Sequence, residues 1–133
     1  MNIQYVPVEM VAQVLPQARA FIARGLSHTD SCTVEHAEAF LSTGAFVLLV
    51  AIKDEKICGA YILGFSNGPG ARTACIVSAA GTGLASQEAF DQVKNIARNM
   101  GATQIQVLAR KAAARLYKRV GLEEKAVLME IKL

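Results

Sequence analysis

The stretch that decides the fold covers residues 80–122 and opens with Ala80-Gly81-Thr82-Gly83-Leu84-Ala85-Ser86. An amphipathic run follows as far as Met100, which is typical of a helix. Residues 105–107 alternate like a short strand, and residues 110–122 have the pattern of a second helix. A turn that leads into a helix N-terminus presents free backbone N–H groups and the positive end of the helix dipole. The stretch therefore predicts a binding site for an anionic group.

Composition restricts the class of protein. The chain has 133 residues, of which 53% are hydrophobic and 19% charged, so we expect a single domain over residues 1–133 with a well-buried core. The longest apolar run, residues 45–52, is far shorter than the roughly 18–20 residues of a membrane span. No basic segment followed by an apolar stretch opens the chain. We therefore expect neither a membrane span nor a signal peptide.

The three cysteines, Cys32, Cys58 and Cys75, are odd in number and lack the spacing of metal ligands. Cys58 and Cys75 lie in apolar, strand-like surroundings, where cysteine usually acts as a small buried hydrophobe. We therefore expect a reducing, cytoplasmic setting and no metal site.

The net charge of +3 is unevenly distributed along the chain. Residues 110–119 include five basic residues and no acidic one, whereas acidic residues outnumber basic ones up to Glu55. Such a run is most often a solvated helix face, but it can also bind a phosphate, a nucleic acid or an acidic protein surface. It lacks interleaved aromatics and any nucleic-acid-binding motif, which argues against direct nucleic-acid binding.

Apolar periodicity divides the chain into short elements. The predicted elements, in chain order, are a strand over 2–6, a helix from Val8 to Gly25, a helix capped by Thr33 and ended by Gly44, strands over 46–53, 56–65 and 72–78, a helix over about 86–100, a strand over 104–108, a helix over 112–120 and a strand over 126–132. Pro16 removes a backbone donor, so we expect a kink there or two short helices. The order β-α-α-β-β-β-α-β-α-β favours an α/β (α+β) fold around a mixed sheet.

The last predicted helix carries a recognisable motif. Its residues are Arg110, Ala113, Leu116, Tyr117, Gly121 and Leu122. They follow the spacing Asn-x-x-Ala-x-x-Leu-Tyr-x-x-x-Gly-Phe and are identical to it at four of the six positions. In this motif and in the order of its elements the chain resembles the GNAT superfamily of acetyl-CoA-dependent N-acetyltransferases. The resemblance implies the GNAT acyl-CoA N-acyltransferase fold, with a mixed, mostly antiparallel sheet flanked by helices, and acetyl-CoA as acyl donor.

A second motif of this superfamily, the pyrophosphate loop Arg/Gln-x-x-Gly-x-Gly/Ala, precedes a long helix. Alignment on the glycines matches Ser78, Gly81 and Gly83 to it. Alignment on the length of the helix matches Gly81, Leu84 and Ser86 instead, and both registers remain open. The same glycines are also typical of a tight strand-to-helix turn.

The resemblance assigns roles to particular residues. Tyr117 is the candidate general acid for the coenzyme A thiolate, although a tyrosine here can also pack with its hydroxyl at the rim of a core. Backbone N–H groups of residues 77–83 are candidates for binding the thioester carbonyl and the pyrophosphate, and the basic cluster for the 3′-phosphate. The candidate cofactor-binding residues are Val77, Ser78, Ala79, Gly81, Thr82, Gly83, Ser86, Arg110, Ala113 and Arg115.

The general base is harder to identify. Members of the superfamily often use a glutamate on the central strands, but residues 72–78 contain no acid, and Asp54 and Glu55 form the tip of a predicted hairpin. His28 lies in the polar loop on the side where such proteins bind the acceptor, and it is the candidate base. The alternative for His28 is an ordinary surface histidine.

Two functions remain open. The first is transfer of an acetyl group from acetyl-CoA to a primary amine of a small molecule or a protein, by direct attack in a ternary complex. The second is a non-catalytic GNAT-fold module that binds a protein partner, because the chain is also similar to short phage GNAT-like proteins, virion components among them. In that case it would be virion-associated. The second function is supported by the absent Arg or Gln, the absent Asn and the absent strand Glu.

Overall fold

The computed structural model describes residues 1–133. Its strands are β1 (Asn2–Val6), β2 (Phe46–Lys53), β3 (Lys56–Asn67), β4 (Arg72–Gly81) and β5 (Gln104–Val107), and its α-helices are α1 (Val11–Leu26), α2 (Val34–Thr43), α3 (Gln87–Asn99) and α4 (Lys111–Arg119), with a 3-10 turn over Val8–Met10 before α1. The strands form one sheet in the order β1-β2-β3-β4-β5, antiparallel except for the parallel pair of β4 and β5. The predicted fold class, a mixed and mostly antiparallel sheet flanked by helices, is confirmed.

Alternation along the strands divides the core between the two faces of the sheet. Leu49 of β2 and Leu63 of β3 point to the face that α3 covers, where they pack with Phe90 and Val93. Their neighbours Leu48 and Ile62 point to the opposite face. There they pack with residues of α1 and α2, namely Ala18, Ile22, Ala37 and Leu41. The two central strands therefore contain almost continuous apolar runs, because both of their faces are buried.

Two irregularities of β4 create an opening in the sheet. Ile62 pairs with Ser78 and Leu63 with Ile76, so Val77 is the extra residue of a β-bulge. On its other side β4 pairs with β5 only from Thr73 to Ile76, although β4 itself continues to Gly81. Beyond Ile76 the two parallel strands separate, and the backbone of β4 has no strand partner on that side.

The first helix differs from the prediction. It is not divided at Pro16 but continues through it to Leu26, with Gly25 inside the helix. Pro16 is tolerated because the carbonyl of Ala12, which loses its intrahelical donor, lies on an exposed residue that water can reach. A Cβ on Gly25 would lie 2.0 Å from the Oγ of Ser78, so this glycine serves the close packing of α1 on β4. No helix of the chain is both long enough and apolar enough to span a membrane.

The predicted last strand over residues 126–132 is wrong for this structure. No strand follows α4, and the side chains of Met129 and Ile131 are 89% and 83% exposed. A strand requires a neighbour that accepts and donates backbone hydrogen bonds, and residues 126–132 have none within the chain. The apolar alternation of residues 126–132 is typical of a strand, but no other strand of the chain pairs with this segment.

Candidate functional site

The candidate site lies where β4 and β5 separate. Residues 77–81 of β4 have β3 on one side and no strand on the other. Between this edge, the turn after β4 and helix α4 lies a cavity of about 200 Å³. Its lining is mostly apolar and consists of Tyr61, Ala79, Ala80, Gly81, Gly83, Leu84, Ala85, Phe90, Ala113, Leu116, Tyr117 and Val120. Five residues selected from the sequence, Ala79, Gly81, Gly83, Ala113 and Tyr117, therefore border one cavity.

Two tyrosines face this cavity. The hydroxyl of Tyr61 donates a hydrogen bond to the carbonyl of Leu84 at 3.1 Å, whereas none of the side-chain hydrogen bonds of the chain involves the Tyr117 hydroxyl. The ring of Tyr117 packs edge-on against Phe90, with centroids 6.4 Å apart. Burial raises the pKa of the Tyr117 phenol above its usual value, and burial together with the nearby Tyr117 raises the pKa of Tyr61. Both phenols are consequently protonated at neutral pH, and that of Tyr117 has a proton to donate to a ligand.

The backbone geometry of the turn requires glycine at Gly81 and Gly83, whether or not a ligand binds there. A Cβ on Gly81 would lie 2.3 Å from the Cα of Gly59, so the end of β4 can approach β3 only without a side chain. Gly83 has a φ of +78°, in the left-handed region that favours glycine. The backbone N–H of Thr82 donates to the carbonyl of Cys58 at 3.1 Å, which leaves it unavailable to a ligand. The backbone N–H of Thr82, which was predicted to bind an anion, is therefore already hydrogen-bonded within the chain.

The N-terminus of α3 lies directly after this turn. Ser86 is its N-cap residue, and the Ser86 Oγ accepts a hydrogen bond from the N–H of Ala89 at 3.1 Å. The N–H groups of Gln87 and Glu88, in the first turn, have no intrahelical acceptor. The carboxylate of Glu88 also lies in this first turn, so one negative charge already occupies the positive end of the helix dipole.

Two of the predicted cofactor-binding residues, Val77 and Ser78, precede the cavity lining along β4 and do not themselves line the cavity. Ser78 is buried, and its Oγ points towards Gly25 of α1. The side chain of Val77 packs into the core on the α1 and α2 face. These side chains therefore pack on the face of the sheet that α1 and α2 cover. The backbone of the bulge at Val77 lies at the edge where β4 and β5 separate.

The five basic residues of the segment 110–119 do not share one partner or one site. Arg115 and Lys118 are exposed on α4, and Lys118 forms a surface ion pair with Glu124 at 3.5 Å. Arg110 is the N-cap residue of α4, and its Nη2 lies 2.7 Å from the Nε2 of His28 in the loop between α1 and α2. Because a guanidinium only donates, the Nε2 of His28 accepts this hydrogen bond and its lone pair is occupied.

The other histidine has a structural role. His36 and Thr33 form a capping box at the start of α2: the Oγ1 of Thr33 accepts from the N–H of His36 at 3.1 Å, and the Nδ1 of His36 accepts from the N–H of Thr33 at 3.3 Å. The predicted cap at Thr33 is confirmed.

Sequence reasoning missed four residues at this site. Tyr61 and Phe90 appeared only as members of apolar runs, although a tyrosine inside the buried strand β3 signals a hydroxyl that needs a partner. Lys53 and Lys56, at the ends of the β2–β3 hairpin, line an open depression beside Thr82 and Gly83 together with Asp54. The hairpin itself was predicted, but its position next to the glycine turn follows from the pairing of β3 with β4.

The chain shows no match to a known family model and none in sequence to a curated protein. Solved structures do match it. One is an aminoglycoside acetyltransferase, meta-AAC0020, from an uncultured soil metagenomic sample in complex with sisomicin (16% identity, TM-score 0.73, covering 99% of this chain and 95% of that one). Another is a predicted acetyltransferase with acetyl-CoA from Clostridium acetobutylicum (14% identity, TM-score 0.68, covering 98% and 95%).

A third similar structure is a ribosomal-protein-alanine N-acetyltransferase from Brucella melitensis biovar Abortus 2308 (14% identity, TM-score 0.71, covering all of both chains at 100%). Each likeness extends over nearly the whole of both chains, but the identities are too low to carry activity or substrate from one protein to the other. The chain therefore has the fold of the GNAT acetyltransferases.

Proposed function

We propose that the protein transfers an acyl group, in the first instance acetyl, from its coenzyme A thioester to a primary amine. The observation that carries this proposal is the unpaired edge of β4 over residues 77–81, which borders a cavity containing the free hydroxyl of Tyr117. An extended ligand with amide groups can pair with such a backbone edge as a further strand would. The pantetheine arm of coenzyme A is a ligand of this kind.

The residues present fit the rest of the donor substrate. The apolar lining by Leu84, Phe90 and Val120 suits the aliphatic part of the arm. The turn at Gly83 and the free N–H groups of Gln87 and Glu88 suit the pyrophosphate, with Lys53 and Lys56 as nearby cations. Arg115 and its basic neighbours on α4 remain candidates for the 3′-phosphate.

The proposed reaction has one bond made and one broken. The amine nitrogen attacks the thioester carbonyl carbon, the C–S bond breaks, the amine loses one proton to a base, and the sulfur gains one. Tyr117 donates to the sulfur as its negative charge develops. Because a thiol titrates near 8.5 and burial raises the pKa of Tyr117 above 10, we expect stabilisation by a hydrogen bond to contribute more than complete proton transfer.

The acceptor amine is proposed to enter from the α1 and α2 side, where His28 lies. The proposed base, His28, has its Nε2 occupied by Arg110, so it can accept a proton there only after Arg110 moves. A water molecule that passes the proton to bulk solvent is the alternative base. A small-molecule amine is the acceptor class that we propose to examine first, since one similar protein was solved in complex with sisomicin.

The proposal is tested by incubating the purified protein with acetyl-CoA and a panel of primary amines while free thiol is measured. We expect thiol release that depends on both the protein and one or more amines, with an N-acetylated product of matching mass. Amine-independent hydrolysis alone, or no release with any amine, would contradict the proposal. An aminoglycoside, a polyamine and an N-terminal alanine peptide cover small-molecule and protein acceptors.

A second candidate function, a non-catalytic binding module, is supported by one observation. The lining of the cavity contains no carboxylate or histidine, and the candidate base His28 accepts a hydrogen bond from Arg110. A module of this kind would bind a protein partner and give no thiol release. Binding of acetyl-CoA without turnover against the whole amine panel is the result that would favour it.

A further inference from the structure

The guanidinium of Arg110 is a cation without a carboxylate partner. None of the ion pairs of the chain includes it, and its side-chain hydrogen bond goes to the Nε2 of His28 at 2.7 Å. A guanidinium has five N–H donors in a planar fork, and the histidine ring uses only one of them. Because a carboxylate accepts a shorter and stronger hydrogen bond than a neutral nitrogen, the fork retains the capacity to bind one.

The position of Arg110 places this cation at the acceptor side of the site. Residue 110 precedes Ala113 by three positions and Tyr117 by seven, which is the spacing of one helix face. Ala113 and Tyr117 both line the cavity. From the same face the Arg110 side chain extends to His28 in the loop between α1 and α2, where the acceptor amine is proposed to enter. An acceptor on that side therefore meets the guanidinium before it reaches the cavity.

The acidic residues on the acceptor side already have cationic partners. The loop between α1 and α2, together with α2, contains three of them. The carboxylate of Asp30 lies 3.4 Å from the Nζ of Lys132, that of Glu35 lies 3.6 Å from the guanidinium of Arg19, and that of Glu38 pairs with the same guanidinium. An acceptor with several positive charges would thus find no unpaired carboxylate here, whereas an anionic group would find an unpaired guanidinium.

We propose that Arg110 binds a carboxylate of the acceptor, so that the acceptor is a primary amine that also carries a carboxylate, such as an amino acid. Both oxygens of a carboxylate can accept from one guanidinium, which fixes the orientation of the bound molecule. When Arg110 turns to this carboxylate, its hydrogen bond to His28 breaks. The lone pair of the His28 Nε2 then becomes available for the proton that the amine loses. The fate of the amine rests on the proposed acyl transfer, whereas the carboxylate site does not.

The carboxylate site is tested without acetyl-CoA, by NMR of the imidazole nitrogens of the full chain. Glycine, β-alanine and 4-aminobutyrate are each titrated beside the matched primary amide, which has the same shape and no negative charge. We expect the His28 signals to move saturably with at least one of the amino acids and not with its amide. His36, whose Nδ1 accepts from the N–H of Thr33, should not respond and is the internal control.

Two variants then identify the group that binds. R110A should lose the response of His28, and it should stay folded because the Arg110 side chain is exposed and caps no backbone group. R98A removes an exposed arginine from α3 instead and should respond like the unchanged protein. No saturable movement of the His28 signals, an equal movement with the amides, or a response that survives R110A would each overturn the proposal.

The second test compares turnover of the same pairs in the thiol-release assay. We expect kcat/KM for the preferred amino acid to exceed that for its amide about 10- to 100-fold, and R110A to bring this ratio close to one. Turnover without a preference for the carboxylate would overturn the proposal. A saturable response of His28 without thiol release from any amine would support the carboxylate site and contradict the proposed acyl transfer, so the two failures can be told apart.

Discussion

The Nη2 of Arg110 lies 2.7 Å from the Nε2 of His28, so a side chain at the start of α4 reaches the loop between α1 and α2. The two residues are 82 positions apart in the sequence. Arg110 occupies the position at which the GNAT motif that the chain resembles has Asn, and the longer Arg side chain reaches His28. The contact joins the proposed donor side of the site to the proposed acceptor side and occupies the nitrogen that a base would use.

This contact predicts the tautomer of His28. In the neutral ring Nε2 should be unprotonated and Nδ1 should carry the hydrogen, because Arg110 can only donate. The nitrogen chemical shifts of the neutral imidazole, measured by NMR, report the tautomer directly. R110A should abolish this preference, and R115A, a change to an exposed arginine on the same helix, should not. A protonated Nε2 in the unchanged protein would contradict the contact.

Replacing Tyr117 by Phe separates binding from chemistry. We expect kcat to fall about 10- to 100-fold, since a hydrogen bond to a charged group is worth about 1.5–3 kcal/mol, while the Kd for acetyl-CoA changes little. Steady-state kinetics and calorimetry give the two quantities, and Y5F, at an exposed tyrosine, is the control. An unchanged kcat, or equal losses of kcat and affinity, would remove Tyr117 from the chemical step.

The two cavity tyrosines predict a loss of stability at alkaline pH. Their pKa values are raised in the folded state, so the unfolded chain loses these protons first and the free energy of unfolding should fall as the pH rises above about 10. Urea unfolding at several pH values measures the slope, which should be smaller in Y61F and Y117F than in Y5F. At about pH 8, Y61F should also lose roughly 1 kcal/mol with its hydrogen bond to Leu84. Equal slopes in all three variants would contradict this prediction.

Three glycine-to-alanine changes should lower the stability of the fold by different amounts, in a fixed order. G81A places a Cβ against the backbone of Gly59 and should destabilise the fold by roughly 2 kcal/mol or more. G83A meets only the flexible end of Met1 at a φ of +78° and should cost about 1 kcal/mol. G70A meets nothing within 4 Å and should be nearly neutral. Melting temperatures check the order, and a stable G81A protein would contradict the close approach of β4 to β3.

Local patterns in the sequence were sufficient to predict most of the helices and strands. The helix predicted over about 86–100 is α3 with Ser86 as its cap, and the hairpin turn at Asp54 and Glu55 has the two positive φ values of a tight turn. These features depend on residues close together in the chain, which is why periodicity and capping rules identify them.

Features that depend on distant residues could not be predicted in this way. The contact of Arg110 with His28, the hydrogen bond of Tyr61 to Leu84 and the bulge at Val77 follow from the register of strands and the packing of helices. The prediction of a strand over residues 126–132 was wrong for the same reason. The composition of this segment favours a strand, but a strand also needs a neighbouring strand, which periodicity does not reveal.

The most direct test of the proposed function is a calorimetric titration of the purified protein with acetyl-CoA. Saturable one-to-one binding in the micromolar range, weakened in G83A, is the result that the proposed donor site predicts. Free ligand at 100 times Kd should also stabilise the folded protein by about 2.7 kcal/mol. No heat of binding and no thermal shift at millimolar acetyl-CoA would contradict the account, and the opening between β4 and β5 would then need a different ligand.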